Sequence, residues 1–299
     1  MKYIISEVLN EAIMTKIPTI VVEGIDDVKI YDCIAKTVNK NYFVIPIECI
    51  DGFSEGNEHV IRAMNQVSIL PSSKYGYENY IVGIIDKDVR DFRHDIPINR
   101  LIFPLTVYSI ESHFVNNEAI LLFISELTRA TRDLINSDLE RFITDKLLEN
   151  FEDLYLMSLE ALKGAIDKEY LAEFSYSFNE GRIIDIKNIS SIRKKKTALL
   201  SFANDLGINY NLETLKRISK GKWLLFLFCY TLEKTINKLP EKCQEHKITS
   251  CRVCITDIKK CLYKIKDGIT HKTLKSILMN KVDLNEFDYI RNKLNSMNP

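Results

Sequence analysis

The sequence has 299 residues, of which 46% are hydrophobic, and 41 Lys and Arg balance 41 Asp and Glu to a formal net charge of zero. Such a chain has room for one large or two ordinary domains with a sizeable core, which excludes global disorder. No apolar run reaches the roughly 20 residues that cross a bilayer, and we expect no secretory signal because Glu7 and Glu11 interrupt the start. Seven irregularly spaced cysteines do not form a disulfide framework, so these features favour a cytoplasmic protein without membrane association.

The charges are distributed unevenly along the chain. Residues 1–118 carry 11 Lys and Arg against 17 Asp and Glu, and residues 119–181 carry 6 against 13, whereas residues 182–281 carry 22 against 8. A basic region of this kind favours a polyanion, such as nucleic acid, or an acidic partner surface. The alternative is that the basic region docks on the acidic half of the same chain.

Strand and helix patterns alternate over the first hundred residues. Apolar and β-branched runs predict strands, and apolar residues at helical spacing predict helices, in the order strand 17–22, helix 26–38, strand 42–50, helix 55–64, strand 80–85, strand 101–103. This order predicts a parallel sheet covered by helices. From residue 110 onward the pattern is mostly helical, with a buried helix expected at 223–232 and strand patterns only at 174–178 and 183–186.

The change of pattern predicts two domains. We expect an α/β catalytic domain at 1–120 and a mostly helical domain at 121–299, which contains the basic region 182–281.

Three carboxylates stand at predicted strand ends, where the active residues of an open parallel sheet lie. Glu23 closes the first strand, and Asp86 and Asp88 close the third. In an extended backbone, residues two apart point to the same side, so Asp86 and Asp88 would face one site while Lys87 points away. Three clustered carboxylates repel one another unless a cation lies among them, and oxygen ligands favour Mg2+ or Mn2+. Such a site supports phosphoryl or phosphodiester transfer; the alternative is ordinary acidic loop residues.

The residues around these carboxylates resemble a known fold. Residues 21–27 (VVEGIDD), 51–53 (DGF) and 83–88 (GIIDKD) are similar, in order and in strand position, to the Toprim fold of topoisomerases, primases and OLD-family nucleases. Residues 108–114 (YSIESHF) add a narrower likeness to stand-alone Toprim-like proteins encoded beside an ABC-type ATPase, a family that includes the AriB effectors of PARIS anti-phage defence systems.

The likeness covers about residues 17–120, and residues 221–223 (GKW) resemble a Gly-Lys element late in these proteins. It implies a toxic nuclease effector that an ABC-type or AAA ATPase sensor holds inactive until a phage-encoded trigger releases it. It also implies host nucleic acid as substrate, with tRNA favoured, and growth arrest of infected cells as the outcome, and it is compatible with a homodimer.

Six residues receive roles under this hypothesis. Asp86 and Asp88 would hold the metal ion, and Glu23 would bind metal or act as general base towards the attacking water. Asp27 and Glu111 would complete a second metal shell, or stabilise the N-terminal turn of a helix. Lys222 would stabilise charge on the phosphate, or be an exposed lysine before an apolar helix.

Two further groups of residues leave alternatives open. The run Arg193, Lys194, Lys195 and Lys196 would contact nucleic acid or the ATPase partner, or form a solvated loop. Zinc binding by Cys243, His246, Cys251 and Cys254 competes with ordinary buried cysteines, because the central spacing is short for common zinc fingers and Cys261 is left unused.

Several function classes compete with a nuclease. A Toprim-fold regulatory or binding subunit without turnover is the main alternative, and a small-nucleotide phosphotransferase would use the same carboxylates. The chain is short for a topoisomerase and shows no zinc-binding primase module. It lacks the Gly-x4-Gly-Lys-Ser/Thr motif of an ATPase.

Overall fold

The structure, a computed structural model, describes residues 2–71, 75–254, 257–282 and 284–299. The strands are β1 Thr19–Val22, β2 Phe43–Pro46, β3 Ile81–Ile85 and β4 Ile102–Pro104. The α-helices are α1 Ile5–Thr15, α2 Ile25–Lys36, α3 Asn57–Ser68, α4 Arg90–Arg93, α5 Asn117–Leu127, α6 Ser137–Ile166, α7 Ile186–Lys194, α8 Lys196–Asp205, α9 Leu212–Ile218, α10 Gly221–Gln244, α11 His271–Leu278 and α12 Asp288–Ser296. Short 3-10 helices occupy Ile47–Cys49, Tyr77–Asn79, Ile110–Phe114, Glu180–Ile184, Ile258–Lys260 and Asn285–Phe287.

The chain forms two compact units, Met1–Val107 with Asn280–Pro299 and Tyr108–Met279. The boundary therefore lies before residue 108 rather than at 120, and the last 20 residues belong to the first unit instead of the helical one. Hydrogen bonds from residues far away in the sequence attach the C-terminal segment to the first unit. Lys40 donates to the carbonyl oxygen of Met297 at 2.7 Å, and the Tyr42 hydroxyl donates to that of Leu294 at 2.6 Å.

The first unit is built on a four-stranded parallel sheet in the order β2-β1-β3-β4, which confirms the predicted sheet flanked by helices. Val21 lies opposite both Ile45 and Gly83 in this register. The chain leaves β1 in one direction to form β2 and then crosses back to form β3. The carboxyl ends of β1 and β3 therefore border a topological switch point, where open α/β sheets bind ligands.

Helices α1 and α3 bury one apolar cluster with the sheet. Val60, Met64 and Val67 recur at helical spacing and put the apolar face of α3 against the strands. A Cβ added to Gly83 of β3 would lie 2.7 Å from side-chain carbons of Val60 and Met64, so glycine permits this close approach. Helix α2 contacts β1, β2 and α12.

The second unit is mostly helical, as predicted, with the long helices α6 and α10 in contact. Trp223 and Phe228 are fully buried on α10, which confirms the buried helix expected at 223–232. The strands expected at 174–178 and 183–186 are wrong. The first segment is irregular and the second spans a 3-10 helix and the start of α7. Their aromatic residues pack as a cluster instead, with the Phe174 and Trp223 ring centroids 5.1 Å apart.

Candidate active site

Two carboxylates that the sequence places at strand ends come together at the switch point. Glu23 directly follows β1 and Asp86 directly follows β3, and these strands are neighbours in the sheet. Oε1 of Glu23 accepts a hydrogen bond from the backbone N–H of Asp86 at 2.6 Å. The ends of the first and third predicted strands thus meet, as the parallel topology requires.

The N-terminus of α3 joins both strand ends. The Asn57 amide donates to the backbone oxygen of Asp86 at 2.9 Å and to Oδ2 of Asp88 at 3.1 Å. The backbone N–H of Gly56 donates to the backbone oxygen of Glu23 at 3.0 Å. Gly56 has a φ of 116°, a conformation that strongly favours glycine, so the loop before α3 is shaped for this approach.

The loop after β3 is not extended as the sequence argument assumed. Asp88 has a φ of 50°, in the left-handed region, so the alternation of side chains along a strand does not apply to it. Asn57 positions the Asp88 carboxylate instead. Lys87 forms a 2.7 Å ion pair with Asp91 and donates to the Thr106 oxygen at 3.4 Å. The Lys87 ammonium group is therefore already paired with acceptors of the first unit.

The pKa of Glu23 is strongly shifted in the folded chain. Burial raises the pKa of Glu23 to about 8, against the opposing hydrogen bond from Asp86. The negative charges of Asp88 and Asp27 raise this pKa further, and the positive charge of Arg90 lowers it. Asp27, in the first turn of α2, is therefore electrostatically part of the same site. The site crowds like charges and favours a cation or a proton among them.

Arg90 is a site residue that the sequence reasoning missed. Its side chain is buried, at 6% exposure, and it forms an ion pair of 2.5 Å with Glu58 of α3. Among the described residues, its buried Nε has no hydrogen-bond partner. Arg90 lies two residues after Asp88. A basic residue this close to an Asp-x-Asp motif is the sequence feature that could have identified Arg90 as a site residue.

Two tyrosines border the carboxylates and were also missed. Burial raises the pKa of Tyr31 well above its usual value, and the charges of Asp86 and Asp27 add to the effect. Burial likewise raises the pKa of Tyr289 to about 12, and its hydroxyl accepts a 3.3 Å hydrogen bond from the Thr106 N–H. Tyr289 enters the first unit from the C-terminal segment, and no local pattern links it to the site.

Two buried side-chain oxygens of the first unit could contribute to cation binding. In the described part of the chain, Oδ1 of Asn57 and Oε2 of Glu48 are buried without a hydrogen-bond partner. The other oxygen of Glu48, Oε1, accepts from the backbone N–H of Ile25 at 3.0 Å, at the start of α2. Oxygen atoms of these kinds are the ligands that Mg2+ or Mn2+ prefers.

The carboxylates are not arranged as a closed metal-binding group. Across the described ranges, the one group of at least three His, Cys, Asp or Glu residues with ligand atoms within 4.8 Å of one another consists of four cysteines. Glu23, Asp86 and Asp88 form no such group. Oε1 of Glu23 already accepts a hydrogen bond from the Asp86 N–H.

Glu111 and Lys222 lie in the second unit. Glu111 is buried in the 3-10 helix Ile110–Phe114 and accepts a 2.6 Å hydrogen bond from the Ser109 hydroxyl. Lys222 is exposed in the first turn of α10. A Cβ on Gly221 would lie 1.9 Å from Oγ of Ser109 and 3.1 Å from Oε2 of Glu111. Two segments that the sequence singled out separately, 108–114 and 221–223, therefore pack against each other.

Most of the basic run is paired with acids of α6. Arg193 donates to both carboxylate oxygens of Asp153, at 2.7 and 2.8 Å. Lys195 contacts the fully buried Glu160 at 2.8 Å, and Lys196 contacts Glu152. Lys194 is exposed. For this run, the structure therefore supports the alternative in which basic residues pair with acidic residues of the same chain, here within the second unit.

No protein-family model matches the chain, and no curated protein matches it at a significant level. Among the described residues, no helix combines the length and apolar character needed to span a membrane.

Proposed function

We propose that the chain is a metal-dependent phosphodiesterase of the Toprim type, acting as an endonuclease through Glu23, Asp86 and Asp88. The observation that carries the proposal is the 2.6 Å hydrogen bond between Glu23 and Asp86 at the switch point of a parallel sheet. Phosphodiesters are the substrate class that fits, since oxygen-only metal sites act on phosphate oxygens.

The site residues divide the work in this proposal. Asp86 and Asp88 would hold Mg2+ or Mn2+, and the ion would supply Lewis-acid polarisation of the phosphate and a lowered pKa for bound water. Asn57 fixes the Asp88 carboxylate through its amide. Glu23 would accept the proton of the attacking water once a bound cation lowers its pKa, because without a cation its raised pKa keeps it protonated near neutral pH. Arg90 offsets part of the negative charge.

The biological setting follows from the sequence resemblance. Residues 21–27 and 83–88 resemble the Toprim fold, and residues 108–114 resemble the ATPase-associated Toprim effectors in particular. We propose that an ABC-type ATPase partner restrains the chain, that release makes it toxic, and that host tRNA is the favoured substrate. The contact between Gly221 and residues Ser109 and Glu111 supports this likeness, because it gives two of its sequence elements a common structural role.

A regulatory Toprim-fold subunit without turnover is the second candidate. It is favoured by the carboxylate oxygens, which do not gather into a group among the described residues, and by the raised pKa of Glu23, which retains a proton near neutral pH. In that case the fold would bind a partner or a nucleotide, and removal of Glu23 would leave its biological effect unchanged.

Expression in cells followed by sequencing of nucleic-acid ends separates the two candidates. The wild-type chain, Glu23→Gln and Asp26→Asn are each expressed alone and with the proposed ATPase partner. Asp26 is an exposed carboxylate in the same helical turn as Asp27 and serves as the matched control. We expect new RNA ends and toxicity with the wild type and Asp26→Asn, and neither with Glu23→Gln. Toxicity that persists without new ends in all three chains would establish the regulatory role instead.

A further inference from the structure

Four buried cysteines of the second unit converge on one point, near the end of α10 and in the irregular segment after it: Cys243, Cys251, Cys254 and Cys261. Their sulfur atoms all lie within 4.8 Å of one another. The sulfur of Cys251 is 3.1 Å from that of Cys254 and 3.8 Å from that of Cys261, and the sulfurs of Cys254 and Cys243 are 3.3 Å apart. The cluster belongs to the second unit, whereas the carboxylate site belongs to the first.

These separations fit a metal ion better than disulfides. All four cysteines are free, and their sulfurs are farther apart than the about 2.05 Å of a disulfide bond. A tetrahedral zinc ion with Zn–S bonds of about 2.3 Å holds its four sulfurs about 3.8 Å from one another. Four buried thiols in mutual contact are therefore already close to that arrangement.

The local backbone supports metal binding. Cys251 and Cys254 have the two-residue spacing common in structural zinc sites, and the chain turns between them. The backbone N–H of Cys251 donates to the sulfur of Cys243 at 3.2 Å. Hydrogen bonds of this type orient ligands and stabilise the negative charge of a bound thiolate.

The segment that carries the cysteines has little regular secondary structure. Over residues 245–270, the described part contains one short 3-10 helix, Ile258–Lys260, and otherwise no regular structure. Irregular segments of this length are uncommon within a compact fold unless something ties them down. The segment also carries six Lys and Arg against three Asp and Glu, which offsets the net charge of about −2 of a zinc ion with four thiolates.

We infer that this cluster binds a structural Zn2+ ion through the thiolates of Cys243, Cys251, Cys254 and Cys261. With four protein ligands the site is closed, so its role is to stabilise the second unit rather than to act on a substrate. The four thiols lose their protons to solvent when the ion binds.

This ligand set corrects the one that the sequence suggested. His246 is exposed, and its Nδ1 contacts the Ser250 hydroxyl at 2.7 Å, outside the sulfur cluster. Cys261, which the spacing argument left unused, takes the fourth position. Its separation of seven residues from Cys254 is no common finger spacing, and only the folded segment brings the two together.

Metal analysis of the purified full-length chain tests the inference. The wild type should contain one zinc ion per chain, as should Cys33→Ser and His246→Ala, while Cys251→Ser should lose it. Cys33 lies in the first unit, and His246 belongs to the set that the structure rejects. Loss of zinc in His246→Ala, full retention in Cys251→Ser, or a folded wild type purified from zinc-containing medium without zinc would overturn the inference.

A second measurement covers the case in which Cys251→Ser does not fold. The wild-type chain is stripped of metal with a chelator and titrated with Co2+, whose absorption reports tetrahedral thiolate coordination. We expect the thiolate-to-cobalt band to appear at one equivalent and to vanish on addition of Zn2+, together with recovery of thermal stability. Absence of the band, or iron as the metal bound by the native protein, would rule the zinc site out.

Discussion

The carboxylate of Glu23 and the backbone N–H of Asp86 are joined by a 2.6 Å hydrogen bond that links the ends of two neighbouring parallel strands. This bond holds an acidic side chain in a partly buried position beside two further acids, Asp88 and Asp27. The strain of like charges is relieved either by a proton on Glu23 or by a cation, and the site is therefore expected to respond to both pH and metal.

The first prediction concerns stability without metal. The pKa of Glu23 is raised from 4.5 to about 8 in the folded chain. Because the folded state keeps this proton and the unfolded state loses it near pH 4.5, the stabilisation is fully present below pH 4.5. It is lost as the pH rises to about 8. Glu23→Gln should thus raise the free energy of unfolding at pH 8 by a few kcal/mol (each pKa unit is worth about 1.4 kcal/mol), with little effect at pH 4.5.

Urea unfolding of the chelator-treated protein at both pH values measures this difference. The exposed control Asp26→Asn should follow the wild type throughout. A Glu23→Gln variant that is no more stable than the wild type at pH 8 would show that the pKa of Glu23 is not raised in the folded chain.

The second prediction concerns Asn57, which holds the loop after β3 through Asp86 and Asp88. Asn57→Ala removes both contacts but leaves the helix and its apolar face in place. Because residues that orient ligands typically contribute about 10–100-fold to metal affinity, we expect a loss of that size for Mn2+. Gln66→Ala, an exposed change on the same helix, should bind as the wild type does. Equal affinities in the two variants would remove Asn57 from the site.

The third prediction concerns the close contact between β3 and α3. Gly83→Ala places a methyl group 2.7 Å from side-chain carbons of Val60 and Met64, so the helix has to shift. Overpacking of this kind destabilises by about 1–3 kcal/mol. Gly181→Ala, whose Cβ would meet only Asn179 at 3.5 Å, should change stability by less than that. Thermal unfolding of both variants decides the matter, and an unchanged Gly83→Ala midpoint would contradict the packing described for the sheet.

The fourth prediction separates the members of the basic run. Lys195 neutralises Glu160, whose side chain is fully buried, whereas Lys194 is exposed. In the described part of the chain, Lys195→Ala leaves the buried Glu160 carboxylate with only the hydrogen bonds from Tyr170 and Glu173, so it should destabilise the chain by about 1–3 kcal/mol, and Lys194→Ala hardly at all. If nucleic-acid affinity falls in Lys194→Ala while stability is unchanged, the exposed part of the run contacts phosphate. Equal stability of the two variants would contradict the ion pair.

The parallel sheet and two residues at the carboxyl ends of its strands could be predicted from the sequence because the patterns that indicate them are local. Short β-branched runs that end at Glu23 and at Asp86 are visible without knowledge of the fold, and parallel topology brings them together. The geometry of Asp88 was not visible, because a left-handed residue after a strand has no distinct pattern in an Asp-x-Asp motif. Asn57 and Tyr289 were missed because they reach the site from a separate helix and from the distant C-terminal segment.

The aromatic residues around Phe174 show a second reason why local sequence patterns can fail to predict structure. A run rich in Phe and Tyr favours a strand by propensity, but here the rings fill space against Trp223, and packing overrides the local preference. The cysteine cluster is similar, since Cys261 joins it only through the fold.

Binding of Mn2+ to the purified chain tests the central claim most directly, because it needs neither substrate nor partner. Electron paramagnetic resonance of free Mn2+ is followed during titration of the wild type, Asp88→Asn and Asp26→Asn. We expect the wild type and Asp26→Asn to bind Mn2+ in competition with Mg2+, and Asp88→Asn to lose at least about tenfold in affinity. Equal binding by all three chains, or none by the wild type, would contradict a metal site at the ends of β1 and β3.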